Sequence, residues 1–229
     1  MKAIILAAGK ATRLLPLTKD TPQCLLKINN KTILEKQIEY LNHAGINDIT
    51  IITGYLSEQV EAFCKKLGIN TFFNPFYDVS GMALTLWVAK KELTDDFILT
   101  YSDVLFDPIL IKDLSKNDGE ICLAIKKDNL REEAEKVIEE SNIIKNVSKV
   151  KIPGENGEFI GISKFSKQGS NKLIKELNKV SKNNINSSFI DVIDNIIKEG
   201  GIIKAHDIGN SSFLDIDFPE DLEKAKKIF

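Results

Sequence analysis

An α/β fold, with a Rossmann-like, mostly parallel sheet flanked by helices, is the class this chain of 229 residues predicts. Three observations carry it. Ala3 to Ala8 is a short, small and apolar run stopped by Gly9, as expected of a strand buried on both faces. Strand-like and helix-like segments then alternate at the spacing of right-handed crossovers. The helical segments open on capping residues and several close on glycine.

Taken in order, Thr32 and Glu35 have capping-box spacing, and Ile33, Leu34, Ile38 and Leu41 form the apolar stripe of a first helix ending at Gly45. Asp48 to Gly54 reads as a second strand. Ser57 is placed to cap a helix over Val60 to Leu67, closed by Gly68, and Ile69 to Phe73 reads as a third strand. Asn74 to Met82 is a polar loop with Pro75 and Gly81, and Gly81 to Leu93 reads as a helix. Phe97 to Tyr101 is an apolar strand, and Asp107 is placed to cap a helix starting at Pro108. Glu120 to Lys126 is a strand. Asp128 to Glu140 is so charged that it reads as a solvated, helix-prone insertion. Asn142 to Ile152, a turn at Pro153-Gly-Glu-Asn-Gly, and Glu158 to Phe165 read as a hairpin-like excursion. A helix over Gly169 to Val180, one over Phe189 to Lys198 capped by Ser187 or Ser188, a strand over Ile202 to Ile208 and a final helix with Pro219 in its first turn complete the chain. No repeat or linker interrupts residues 1–229, so a single domain is expected.

Composition excludes several classes. Thirty-one basic against 33 acidic residues gives −2, with the lysines dispersed, so neither nucleic acid nor a membrane is an expected partner. No apolar run reaches membrane-spanning length, and the N-terminus enters a strand with no secretory pattern, so a cytoplasmic location is expected. Cys24, Cys64 and Cys122 are odd in number and far apart, which predicts buried thiols rather than a zinc site or disulfide. His43 and His206 are isolated.

Two places carry chemistry. Gly9-Lys10-Ala11-Thr12-Arg13 is small and cationic; such a loop brings backbone N–H groups to a polyanion while Lys10 and Arg13 add charge. It is neither a Walker A loop nor Gly-x-Gly-x-x-Gly. Asp103 lies just past the carboxyl end of an apolar strand, where open parallel sheets bind ligands, and a carboxylate there suits Mg²⁺ carrying phosphate.

Leu6 to Thr18 resembles the signature of the nucleotidyltransferases that activate sugar phosphates and other small phosphate esters, Leu-Ala-Ala-Gly-x-Gly-Thr-Arg-Leu-x-Pro-Leu-Thr followed by Pro-Lys. Ala11 replaces the second Gly and Gln23 replaces the Lys. Asn74-Pro-Phe-Tyr-Asp-Val-Ser-Gly-Met resembles the cytidylyl-transferring subgroup, and Tyr101 to Phe106, Glu158 to Phe165 and Phe213 to Leu222 extend the likeness over almost the whole chain. The resemblance implies the nucleotide-diphospho-sugar transferase fold, with the excursion covering an acceptor. It implies nucleotide binding by Leu6, Ala7, Ala8, Gly9, Lys10, Ala11, Thr12, Arg13, Gln23, Ser80, Gly81, Met82, Ser102 and Asp103, and catalytic roles for Arg13, Asp103 and Asp217. Mg²⁺ would sit on Asp103 and Asp217. Asp217, which matches the second metal carboxylate of the family's pattern, is preferred to Asp215, and with Phe218 in place of a capping Thr it would also cap the last helix. Lys149, Lys151, Glu158 and Asp215 are the acceptor-binding candidates.

The expected reaction transfers a cytidylyl group from CTP to a small phosphate ester or phosphonate of the phosphocholine, 2-aminoethylphosphonate or 2-hydroxyethylphosphonate type. The expected assembly is a monomer or homodimer. A sugar-1-phosphate nucleotidyltransferase using UTP, dTTP or GTP is the first alternative, and a catalytically silent nucleotide-binding regulator, motivated by Gln23, the second.

Overall fold

Alternating burial along the first strand sets the architecture. In β1 (Lys2–Ala7), Ile4 and Leu6 enter one apolar cluster while Ala3, Ile5 and Ala7 enter another, so the strand is covered on both faces. The computed structural model describes residues 1–128 and 130–229. After β1 come the short strands β2 (Lys27–Ile28) and β3 (Lys31–Thr32), then α1 (Ile33–His43), β4 (Ile49–Thr53), α2 (Ser57–Leu67), β5 (Asn70–Phe73) and α3 (Met82–Val88). Next are β6 (Phe97–Tyr101), β7 (Val104–Phe106), α4 (Ile109–Ser115), β8 (Ile121–Lys126), β9 (Glu135–Glu140), β10 (Ile143–Ser148) and β11 (Gly157–Phe165). The chain continues through α5 (Lys167–Asn183), α6 (Phe189–Lys198), β12 (Ile203–Asp207), β13 (Phe213–Asp215) and α7 (Pro219–Ile228).

Among the described residues, nine strands form one sheet in the order β5-β4-β1-β6-β11-β8-β12-β10-β9. The first four are parallel, as are β8 and β12; β11 runs antiparallel between β6 and β8. The sheet is therefore mixed, with its parallel half where the crossover helices are. β9 pairs with β10 and also with β11, through Gly157 to Phe159, so the pairing of the last five strands returns on itself. One face packs on α3, α5 and α6 through Phe97, Phe165, Phe189 and Leu173, and the other on α1, α2 and α4 through Leu34, Leu41, Val60 and Leu110. A third cluster joins Leu14, Ile28, Ile33, Leu105, Ile216 and Leu222, tying the loop after β1 to the C-terminal segment. Within the described residues no helix is long and apolar enough to cross a membrane.

Several local expectations stand. Thr32 and Glu35 close a capping box on α1, Gly45 and Gly68 take left-handed conformations, and Ser188 caps α6 with Asp191. Asp107 accepts from the Ile109 N–H at 3.0 Å and so caps α4.

Others are corrected. Asn129 apart, which lies outside the described residues, the Asp128 to Glu140 run is not a solvated helix, since Glu135 to Glu140 form β9. Its hydropathy misleads because Lys136 and Glu139 are buried through polar contacts, Lys136 on the Arg131 carbonyl and Glu139 with Asn142, Asn156 and Lys127. The hairpin accordingly pairs β9 with β10, not the 142–152 segment with β11. The helix expected over Gly81 to Leu93 stops at Val88 and ends in a 3₁₀ turn over Lys90–Glu92. Ser57 is the first residue of α2; the preceding Leu56 makes the turn in a left-handed conformation and offers no side-chain cap. Asp217 caps nothing: Asp221 accepts from the Asp217 and Phe218 N–H groups at 3.3 and 3.0 Å.

The three thiols are buried, and burial pushes Cys24 and Cys122 up to about 12 and Cys64 to about 11. The reactive thiolate is therefore scarce until the pH approaches those values. At pH 8 a disulfide reagent should label none of the three in the folded protein and all three in denaturant; rapid native labelling would contradict this packing.

Gly81 begins α3 against the 185–187 turn, donating to the Ile185 carbonyl at 2.8 Å. A Cβ there would fall 2.3 Å from the Ser187 carbonyl oxygen, a backbone atom. Gly81→Ala should cost about 2 kcal/mol or more of stability, read from urea unfolding, because the turn and the helix cannot both keep their places.

Candidate active site

The site lies at the carboxyl ends of β1 and β6. The backbone there is positioned by residues that fill no site themselves. Gln37, fully buried on α1, donates from Nε2 to the Tyr101 and Val104 carbonyls at 2.8 and 2.7 Å, clamping the turn that presents Ser102 and Asp103. The Ser102 N–H donates to the Leu6 carbonyl at 3.1 Å, joining that turn to β1. Asn74, also fully buried, donates to Thr85 Oγ1 at 2.9 Å and accepts from the Phe76 N–H at 2.9 Å, folding the 74–81 loop onto α3.

These elements border an open cavity of about 190 Å³. Of the predicted nucleotide contacts, Leu6, Ala7, Ala8, Gly9, Gln23, Ser80, Gly81, Met82, Ser102 and Asp103 all line it. Lys10, Ala11, Thr12 and Arg13 continue along the loop beyond Gly9, outside the cavity wall. Tyr77, Thr85, Tyr101, Pro22 and Cys24 also line it, and sequence reasoning missed them. The Asn-x-x-Tyr pattern held a usable signal for Tyr77; Thr85 and Cys24 carried none, because a helix face and a packed thiol look the same whether or not a cavity borders them.

The loop after Gly9 is held in place from several sides. Thr18, buried, donates its hydroxyl to the Ala11 carbonyl at 2.9 Å. Lys10 pairs with Asp78 of the facing loop. Arg13 pairs with Asp217 and stands 5.5 Å from the Phe218 ring centroid. Ala11 adopts φ 48° and ψ 53°, the left-handed region that disfavours a Cβ.

Beside the cavity, Asp103, Asp215 and Asp217 each offer an oxygen, all within 4.8 Å of one another. The sequence favours Asp217 over Asp215, but the two stand at i and i+2, a spacing that puts both side chains on one face of an extended chain, with Ile216 buried on the other. Burial, then Asp215 and Asp217, hold the Asp103 carboxyl well above the usual range. Burial, then Asp217, raise Asp215 to about 6, against the pull of Arg131 and Arg13. Burial raises Asp217 as well, with Arg13 opposing. Asp103 Oδ1 and Asp215 Oδ1 are enclosed and have no hydrogen-bond partner among the described residues. Like charges this close, with unpartnered oxygens, fit a hard divalent cation, which takes oxygen ligands and offsets the repulsion. Asp103, Asp215 and Asp217 would hold it.

The acceptor candidates divide. Asp215 belongs to the trio. Glu158 is fully buried, and both its oxygens are taken by Arg131. Lys149 and Lys151 are exposed on a separate groove with Leu130 and Glu155, and do not reach the cavity. Gln23 does reach the trio by a neutral route, donating from Nε2 to the Ile216 carbonyl at 2.6 Å, between the two aspartates. Arg131 and Glu135 are further site residues that sequence reasoning missed. Glu135 accepts from the Tyr101 hydroxyl at 3.2 Å, and burial raises its carboxyl to about 7.

Replacing Ala11 by Gly should stabilise the protein by about 0.5–1 kcal/mol in equilibrium unfolding, since the left-handed cost of a Cβ exceeds the chain entropy Gly adds. A destabilised Ala11→Gly would mean that the loop does not hold this conformation.

The chain is similar to known proteins over its whole length. The family model described as Nucleotidyl transferase matches residues 2–134. Over 236 residues the chain is 30% identical to the choline-phosphate cytidylyltransferase of Streptococcus pneumoniae, covering 100% of this chain and 98% of that one. Over 249 residues it is 31% identical to the CTP:phosphoglutamine cytidylyltransferase of Campylobacter jejuni, covering 97% and 98%. The solved structure of the CTP:phosphocholine cytidylyltransferase from Streptococcus pneumoniae superposes with a TM-score of 0.85 at 27% identity, covering 99% and 98%.

Proposed function

The chain belongs to the nucleotidyl transferase family, and within it we propose a cytidylyltransferase that moves a cytidylyl group from CTP to a small phosphate ester or phosphonate. One observation carries this reading: the acidic trio stands beside an open cavity lined by the strand-end loop and the 74–82 loop, in a chain that matches two cytidylyltransferases end to end. The names of those two relatives favour a small phosphorylated molecule as acceptor.

In this reading the pyrimidine and ribose occupy the cavity, with Ser80, Gly81 and Met82 on one side and Leu6 to Gly9 on the other. Backbone N–H groups of the Gly9 loop face the triphosphate, and Arg13 and Lys10 exchange their present partners, Asp217 and Asp78, for phosphate oxygens. An ionised oxygen of the acceptor attacks the α-phosphorus of CTP. The new P–O bond forms as the bond to the bridging oxygen breaks, and pyrophosphate leaves with that electron pair. Because the attacking oxygen is already ionised near neutral pH, no general base is required, and catalysis is positioning and charge neutralisation. A bound Mg²⁺ supplies Lewis-acid stabilisation of the phosphate charge. The protein's part is to place the carboxylates, exclude water from the cavity and align the attacking oxygen opposite the leaving group.

The test is pyrophosphate release with Mg²⁺, each nucleoside triphosphate in turn, and acceptors including phosphocholine, 2-aminoethylphosphonate, 2-hydroxyethylphosphonate and phosphoglutamine. CTP with at least one of these should give turnover, and Asp103→Asn should lower it by about 100-fold or more. Activity with dTTP and hexose-1-phosphate but none with CTP would instead identify a sugar-1-phosphate enzyme. Nucleotide binding with no pyrophosphate from any combination would identify a silent binding protein.

A further inference from the structure

We propose that Arg131 is a positioning residue for the acidic trio, acting on the reaction through Asp215; this rests on reading Asp103, Asp215 and Asp217 as a divalent-cation site. Arg131 lies between β8 and β9 and is held at both ends. Its backbone N–H donates to Glu158 Oε2 at 2.7 Å and its Nε donates to Glu158 Oε1 at 3.1 Å. Its Nη1 lies 3.4 Å from Asp215 Oδ2, and its guanidinium carbon stands 5.1 Å from the Phe213 ring centroid. Its carbonyl accepts from Lys136 Nζ. A free arginine has several rotamers to lose, and here the backbone N–H and Nε are both tied to Glu158 while Nη1 faces Asp215.

Glu158 is the fixed end of this arrangement. It sits on β11, is 0% exposed, and faces Arg131 with both oxygens. Asp215 is the end that matters for the cluster. Its backbone neighbour Ile216 is held on both sides, by Gln23 at the carbonyl and by the Asp103 carbonyl at the N–H. Those bonds leave the Asp215 side-chain torsions free. Arg131 takes Oδ2, and the unpartnered Oδ1 is left for the cluster. Arg13 does not duplicate this contact, since it pairs with Asp217. The planar guanidinium suits the task because it bridges two carboxylates in a set geometry, which a lysine ammonium, being a point charge, does not.

Charge and position predict opposite results. If Arg131 acted only as a nearby positive charge, removing it would tighten cation binding. If it sets the orientation of Asp215, removing it weakens binding even though a repulsive charge has gone. Arg131→Gln alone leaves Glu158 buried and unpaired, which threatens folding. The double variant Arg131→Gln/Glu158→Gln removes one positive and one negative charge together, and Arg131→Lys keeps the charge while losing the fork.

The experiment measures Mn²⁺ binding by electron paramagnetic resonance in nucleotide-free protein, together with turnover at saturating CTP and acceptor and a thermal melt for each variant. The double variant and Arg131→Lys should each remain folded, bind Mn²⁺ about 10-fold more weakly and lose about 10-fold in kcat. Wild-type affinity and kcat in these variants, or tighter binding, would overturn the proposal, even alongside a lowered melting temperature. Absence of Mn²⁺ binding by the wild type, or wild-type binding that survives Asp103→Asn, would overturn the cation-site reading and this one with it. Wild-type binding that Asp103→Asn abolishes but the Arg131 variants leave untouched would sink the Arg131 role alone.

Discussion

Three carboxylates packed beside one cavity repel one another, and much of the surrounding structure exists to hold them there. The segment from Asp215 to Asp217 is gripped one residue at a time. Arg131 takes Asp215, Gln23 and the Asp103 backbone take the two polar groups of Ile216, and Arg13 takes Asp217. These partners come from four separate stretches of the chain. The apolar cluster around Leu14, Leu105, Ile216 and Leu222 lies beneath them and supplies the area that makes the assembly favourable. The raised carboxyl pKa values express the same constraint: burial and mutual repulsion disfavour the charged forms, and Arg13 and Arg131 oppose that rise.

Rigidity and readiness to exchange are divided between the two sides of the site. Gln37 and Asn74 are fully buried and bonded to backbone or to Thr85, so the 101–104 turn and the 74–81 loop have little freedom. Lys10 and Arg13, by contrast, are exposed along much of their length and pair with carboxylates that lie at the surface or within the trio. Such pairs contribute little to stability and are readily replaced by a stronger anion. In the cytidylyltransferase reading, the cations that meet the triphosphate are held in the free protein by such exchangeable pairs.

Much of the fold was legible in the chain. The β1 run, the capping boxes at Thr32 and Ser188, the glycines at 45 and 68 and the strand before Asp103 are local signals, each decided within a few residues. The site was legible where it used such signals: Leu6 to Gly9, Gln23, the Ser80 to Met82 corner and Asp103 all line the cavity. The failures share a cause. Glu135 to Glu140 looked solvated because its charges are neutralised by residues distant in sequence, and Arg131 was lost in the same charged run. Asp215 and Asp217, two residues apart, share one face of an extended chain, but that this face meets Asp103 depends on the pairing of β13 with β7.

The sequence by itself determined the strand–loop signature, the alternation of the main strands and helices up to β8, and two of the three carboxylates proposed as metal ligands, because each depends on residue type and short-range spacing. Only the tertiary structure decided that Asp215 joins them and that Ala11 sits in a left-handed turn. It alone decided that Gln23 works through a carbonyl, and that Arg131 and Glu158 stand behind the cluster. The physical reason is the same in each case. A charge's partner, a backbone's strain and a carboxylate's orientation are set by atoms brought together through the sheet and its third apolar cluster, and spacing along the chain carries no record of them.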